Sequence, residues 1–227
     1  MINAGASDSF GTDGDGSCVS LFPNMKITAI GTEFEDQAHK AGYLFVAGVD
    51  EVGRGCLAGP VVAGACILDL SRSLPKGLND SKKLTAKRRE EIALELKDCA
   101  VAYAIGQVEA EEIDRINILE ATKKAMLIAI AALNPSPDFI LIDALQLKQS
   151  PLPQKGIIKG DSISASIAAA SILAKTYRDN LMVGYDRIYP QYGFAGHKGY
   201  GAVTHFAAIR EHGPCVLHRK SFRGVIQ

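Results

Sequence analysis

Asp50 and Glu51 follow the apolar run 44–49, Asp143 follows the apolar run 139–142, and Asp161 lies between Lys159-Gly160 and a long helical pattern. Each taken alone fits a turn former, and Asp161 fits the anion expected at a helix amino terminus. As a set they suggest chemistry. Carboxylates delivered to one sheet edge repel one another and call for cations, and an all-oxygen ligand set suits the hard ions Mg2+ or Mn2+ better than zinc. Two such ions about 4 Å apart can activate a water and stabilise the leaving oxygen of a phosphodiester.

Gly53, Arg54 and Gly55 follow the first two acids, with Gly59 and Pro60 close behind. Glycines here bare the backbone to a ligand, and Arg54 is placed to reach a phosphate. The spacing matches neither G-x-G-x-x-G nor a Walker loop, and no helix follows directly, so a tight hairpin connection is the plain alternative.

The elements that must hold these groups can be read from periodicity. Apolar, β-branched runs at 43–49 and 60–68 predict adjacent antiparallel strands, and 101–108 predicts a third. Helices are expected over 31–42, with Thr32 as N-cap, Glu35 in the capping-box position and Asp36 spaced to pair with Lys40, and over 85–99, capped by Thr85. A long helix at 117–133, capped by Asn117, directs Leu119, Met126, Leu127, Ile130 and Leu133 inward. Strands at 139–142 and 156–159 then end at Asp143 and before Asp161. The segment 162–188 is helical, with Ile163, Ile167, Ala170, Ala174, Leu181 and Tyr185 on one side, and 202–212 forms a last helix. Together these describe an α/β fold, a mixed sheet flanked by helices. Residues 1–30, rich in Gly, Ser and Asp, are expected to be a flexible tail.

Composition narrows the class. The chain has 227 residues, 47% hydrophobic, enough for one core. No apolar run reaches membrane-spanning length and no secretory pattern opens the chain, so a cytoplasmic protein is expected. Five scattered cysteines with no C-x-x-C pair argue against a disulfide framework and a zinc ribbon. His197, His205, His212 and His218 near Cys215 fit no common zinc spacing, and His212 is better placed to interact with the end of its own helix. Met126 and Met182 read as core. Net charge is zero, yet Lys82, Lys83, Lys87, Arg88 and Arg89 cluster, as do Lys198, Arg210, Arg219, Lys220 and Arg223. Either cluster fits a solvated surface or a phosphate-binding one.

Seven stretches are similar to the type 2 ribonucleases H, bacterial ribonuclease HII in particular: GVDEVGRGCLAGPVVAG (48–64), NDSKKL (79–84), INILEATKKAM (116–126), LIDAL (141–145), IIKGDSISASIAAASILAK (157–175), YGFAGHKGYGA (192–202) and HRKSF (218–222). The resemblance implies a ribonuclease H-like catalytic domain over 31–227, with a helical carboxy-terminal extension from about 190. It implies a two-metal site of Asp50, Glu51, Asp143 and Asp161 holding Mg2+ or Mn2+. It matches Gly53, Arg54 and Gly55 to a loop that reads the ribose 2′-hydroxyl, Tyr200 to the tyrosine that works with it, and Lys82 and Lys83 to phosphate contacts. The implied partners are RNA/DNA hybrids and duplex DNA carrying a ribonucleotide, cut by a monomer to leave 3′-hydroxyl and 5′-phosphate ends.

Two departures are visible. Cys56 stands where proline is common, and Ala144 where glycine is frequent. The stretch before the first core strand is short and polar for the extra domain of the sister type, ribonuclease HIII, and no clamp-binding peptide is visible after HRKSF. A catalytically silent nucleic-acid-binding module and a DNA or junction nuclease on the same fold are the competing readings. The four intact carboxylates disfavour the first, and the glycine loop with Tyr200 disfavours the second.

Overall fold

The computed structural model describes residues 10–12, 18–20, 22 and 29–226. A two-stranded ladder, β1 (Phe10–Thr12) with β2 (Cys18–Ser20), and helix α1 (Glu33–Lys40) precede a five-stranded sheet. The sheet comprises β3 (Val46–Val52), β4 (Val61–Ile67), β5 (Ala102–Val108), β6 (Phe139–Asp143) and β7 (Gln154–Ile157), in the order β5-β4-β3-β6-β7. β3, β4 and β5 pair antiparallel, while β6 lies parallel to both β3 and β7. β6 can run parallel to β3 because α3 (Ala110–Ile116) and α4 (Ile118–Ala131) carry the chain back across the sheet.

Both faces of the sheet are covered, so its central strands read as continuous apolar runs. α4 packs on one face, and α2 (Ala86–Cys99) with the first half of α5 (Ala165–Ile188) on the other. α5 is alanine-rich where it crosses the sheet and lies very close to it. A Cβ on Gly48 would sit 2.1 Å from the backbone carbon of Ser166, and one on Gly64 2.4 Å from the carbonyl oxygen of Ala170. Phe139, Ile140, Leu141 and Ile142 are all fully buried, at roughly 1.5–3 kcal/mol each, which anchors the strand that ends on Asp143. Beyond α5, a 3-10 turn at Pro190–Tyr192, α6 (Phe194–His197) and α7 (Val203–His212) pack with Ala58 and Met182 in a separate cluster.

The mixed sheet and flanking helices are those expected. The Thr85 and Asn117 side chains cap α2 and α4 by accepting from Arg88 N and from Leu119 N and Glu120 N, and Met126 and Met182 are both fully buried.

Several details differ. β3 does not stop before the acids but carries Asp50 and Glu51 in register with Gly64 and Ala63. β7 lies earlier than expected, and α3, too short and charged to show periodicity, is an additional helix. Leu119 is 40% exposed because it lies in the first turn of α4, ahead of the contact with the sheet. Thr32 occupies the N-cap position of α1 as expected, but its hydroxyl makes no capping bond and donates to Asp36 at 3.0 Å instead. Glu35 is no capping-box residue either. It is buried and accepts from Ser166 N at 2.9 Å and Ser164 Oγ at 2.7 Å, which ties α1 to the start of α5.

Most of the expected tail lies outside the described residues. Of the part described, β1 pairs with β2, and Phe22 is buried against Phe34 and Phe139. Apolar contact there outweighs the low average hydrophobicity of the segment. Among the described residues no helix is long and apolar enough to cross a membrane.

Candidate active site

Asp143 ends β6 and Asp50 lies within β3 on the neighbouring strand, each one step beyond the last registered β3–β6 pair, Val49 with Ile142. Side chains alternate along a strand, so Asp50 falls on the face packed by α5 and Glu51 on the other. Asp50 is 4% exposed. Its Oδ1 accepts from Glu51 N at 2.8 Å, and Ser171 of α5, which shares a 3.0 Å hydroxyl–hydroxyl bond with Ser81, lowers its carboxyl against the effect of burial. Burial, then the charges of Glu51 and Asp143, hold its carboxyl well above the usual range. Burial also raises Glu51, against the pull of Arg54, whose Nη1 lies 3.2 Å from Glu51 Oε1. Asp143 is raised mainly by burial, and its Oδ1 accepts from Gly160 N at 2.7 Å. Asp161, buried in the 3-10 turn Gly160–Ser162 that leads into α5, pairs through Oδ2 with Lys82 Nζ at 2.9 Å.

The fold therefore gathers all four acids at one end of the sheet, where charge is concentrated and desolvated. Their side chains do not yet form a closed cage: among the described residues no three His, Cys, Asp or Glu groups are close enough to share one ion. The strand alternation that parts Glu51 from Asp50 accounts for some of this spread. The site nevertheless fits a hard divalent cation. Glu51 Oε2 is buried with no hydrogen-bond partner, an acceptor that a cation would satisfy, and the set offers only oxygen donors.

The glycine loop lies next to the acids, and its two glycines serve different ends. Gly53 has φ +90°, and a Cβ there would lie 2.3 Å from Arg178 Nε, so this glycine is required from inside the protein as well as by its backbone. Gly55 has open space where a Cβ would be and meets the expectation of a bared backbone. Tyr200 is half exposed, with its ring under Lys175 Nζ at 5.6 Å. Lys83 is exposed, as is Lys82 despite its pairing.

Cys56 keeps an N–H bond to Gly53 O at 3.3 Å that proline could not make. Ala144 adopts φ +51°, a left-handed conformation that costs a residue with a Cβ about 1–2 kcal/mol and explains why glycine is favoured there.

Four residues around the site escaped the sequence reading: Ser171, Lys175, Arg178 and the true state of Arg219. Arg219 belongs to no solvated cluster. It is fully buried, as is Arg178. Arg178 had a signal, since it falls four residues after Ala174 on the inward stripe of α5; Arg219 had none beyond its basic neighbours. The histidines form a packed network and no metal cage. His197 stacks on His205 at 4.2 Å, and His205 Nε2 lies 3.1 Å from His218 Nε2. His212 instead sits 3.9 Å from Glu211 Oε1 at the end of α7.

A mixed sheet in this order, with carboxylates on β3 and at the end of β6, defines an α/β protein of the ribonuclease H type. Ribonuclease H2 from Pyrococcus horikoshii OT3 superposes with a TM-score of 0.67 at 26% identity, over 80% of this chain and 95% of that one. Bst-RNase HIII, solved in complex with Mn2+, superposes with a TM-score of 0.63 at 25% identity, over 83% of this chain and 70% of that one. The chain belongs to the ribonuclease HII family, whose model matches residues 47–225. Ribonuclease HII of Chlamydia caviae is 58% identical over 197 residues, covering 86% of this chain and 92% of the relative. The chain is accordingly a metal-dependent endoribonuclease of the ribonuclease H type.

Proposed function

We propose that the chain hydrolyses the RNA strand of RNA/DNA hybrids and also cuts duplex DNA on the 5′ side of a single embedded ribonucleotide. The observation that carries this reading is the placement of buried Asp50 and half-buried Glu51 and Asp143 beside a loop whose Gly55 faces open space. Asp50, Glu51, Asp143 and Asp161 would hold two divalent cations, Mg2+ or Mn2+. When bound, these supply Lewis acidity, activating a water for attack and neutralising charge on the leaving oxygen. Until then Lys82 and Arg54 screen the acids, and once that charge is met from elsewhere both are free to turn to phosphates. Lys83 adds a second phosphate contact. The backbone of Gly53, Arg54 and Gly55 reads the 2′-hydroxyl, the group that separates RNA from DNA, and Tyr200 holds the sugar. The free thiols suit work in the cytoplasm.

Two duplexes identical except for one ribonucleotide test this, with product ends identified by mass. Only the ribonucleotide-containing duplex should be cut, leaving a 3′-hydroxyl and a 5′-phosphate. Equal cleavage of both, or a cyclic phosphate end, would overturn the reading. Gly55→Ala is the sharper probe of the loop. Its added methyl meets no protein atom, so the fold should persist while cleavage at the single ribonucleotide falls by about tenfold or more, the order of a lost sugar hydrogen bond. Full activity in that variant would remove Gly55 from the sugar contact.

A further inference from the structure

Two arginines lie wholly inside the protein, and among the described residues neither makes a salt bridge. Arg178 on α5 is 0% exposed. It donates from Nε to Pro60 O at 3.0 Å, from Nη2 to Ala58 O at 3.0 Å and from Nη1 to Lys198 O at 2.9 Å. Arg219, also 0% exposed, donates from Nε and Nη2 to Gly59 O at 3.0 and 2.9 Å and from Nη1 to Arg54 O at 2.9 Å. A buried charge is costly unless it is fully hydrogen-bonded, and here each of these hydrogen bonds goes to a neutral carbonyl, with the Phe222 ring 5.0 Å from the Arg219 guanidinium. Burial pushes the Arg219 guanidinium down to about 10, so it remains a cation at neutral pH.

The carbonyls served belong to two places that matter for the ribose: the loop at 53–60 and the turn that carries Tyr200. Backbone bonds link these places further. Leu57 N donates to Gly199 O, Gly59 N to Leu217 O and Arg219 N to Leu57 O, each at 2.8 Å. Contact is tight enough that a Cβ on Gly199 would lie 2.5 Å from Ala58 O.

We infer that Arg178 and Arg219 are positioning residues, which lock the 53–60 loop and the Tyr200 turn into one rigid surface that reads the ribose. The inference rests on the function proposed above. Neither guanidinium reaches the acids; each sets where the Gly55 backbone stands relative to the Tyr200 ring. The requirement is for a fork of donors at fixed angles, which lysine cannot supply although it keeps the charge.

Arg178→Lys and Arg219→Lys in the full chain test this against the unmodified protein. Cleavage of the single-ribonucleotide duplex is compared with cleavage of an RNA/DNA hybrid, and amide hydrogen exchange is followed by mass spectrometry. A hybrid offers a ribose at every step, so a displaced loop still finds one, whereas a single ribose tolerates one register only. The ratio of kcat/KM on the single ribonucleotide to that on the hybrid should fall about tenfold, the order of lost hydrogen bonds to a charged group. Exchange should rise about as much at 53–60 and 198–201 and stay unchanged in β3 and β6. An unchanged ratio overturns the inference, and so does exchange that rises uniformly through the sheet.

In the unmodified protein the amides of Leu57, Gly59 and Arg219 should exchange as one cooperative unit. Independent exchange overturns the inference even if the lysine variants fail to fold. Failure of the unmodified protein to cut the single-ribonucleotide duplex is a different result, which removes the functional reading and leaves the rigid unit to the exchange data.

Discussion

At Asp50 burial and charge are most opposed, since the residue is 4% exposed and faces two further carboxylates. A group held this way contributes to cation binding and costs the cation-free protein stability. Asp50→Asn should therefore melt at a higher temperature than the unmodified chain when no divalent ion is present, while turnover falls by orders of magnitude. Saturating Mg2+ should stabilise the unmodified chain, by about 2.7 kcal/mol at a hundredfold excess over Kd, and the variant far less. Equal stabilisation of both in calorimetry would take Asp50 out of the cation site. Asp50, Glu51 and Asp143 were legible in the sequence because they follow apolar runs, and Asp161 because it stands at the start of a long helical pattern. Glu35, Arg178 and Arg219 were not. Residue type does not tell whether a polar group is buried, because their partners come from segments far away in the chain: Ser164 and Ser166 for Glu35, and loop carbonyls for the arginines.

Among the elements, α7 is tied to the chain that follows it by two imidazoles, His205 and His218, that must stay neutral. His218 is 2% exposed and is bonded to His205, with Cys215 Sγ 3.2 Å from its Nδ1 and the rings of Tyr192 and Phe194 beside it. Burial, then the proximity of His205, pushes His218 down to about 4, and burial lowers His205 as well. Depressed histidines bind fewer protons folded than unfolded between those values and the ordinary 6.5. Stability is therefore complete above pH 6.5 and is lost as pH falls toward 4, by roughly 3 kcal/mol for His218 at full protonation. Thermal melts across that range should show the loss, and His218→Phe should flatten it; an equally steep decline in the variant would place the acid sensitivity elsewhere. Elements with strong local signals were legible, as α2 and α4 were through Thr85 and Asn117. The short, charged α3 and the continuation of β3 through Asp50 and Glu51 depend on pairing with other parts of the chain, which periodicity does not record.

Over the whole molecule the charges sum to zero, so attraction to nucleic acid must come from how cations are distributed. The structure thins the first basic cluster considerably. Arg88 pairs with Glu91 and Glu95, and Arg89 is buried against Asp179, which leaves Lys82, Lys83 and Lys87 for phosphates. In the carboxy-terminal cluster Arg219 is spent inside, while Arg210, Lys220 and Arg223 stay exposed. Each phosphate neutralised adds about −0.9 to the slope of log K against log salt. The slope for an RNA/DNA hybrid should accordingly reflect a handful of contacts and not every basic residue in the two clusters. Lys82 is the informative one, because its pairing with Asp161 competes with any phosphate. With a cation held by the acids that competition ends, so Lys82→Ala should reduce the slope by roughly one contact in Mg2+ and by less without it. Binding measured in an Asp50→Asn background would confound the two effects, so a hybrid with a non-hydrolysable linkage is the better ligand. A slope unchanged by Lys82→Ala under both conditions would leave Lys82 as a partner of Asp161 only and move the phosphate contacts to Lys83 and the carboxy-terminal cations.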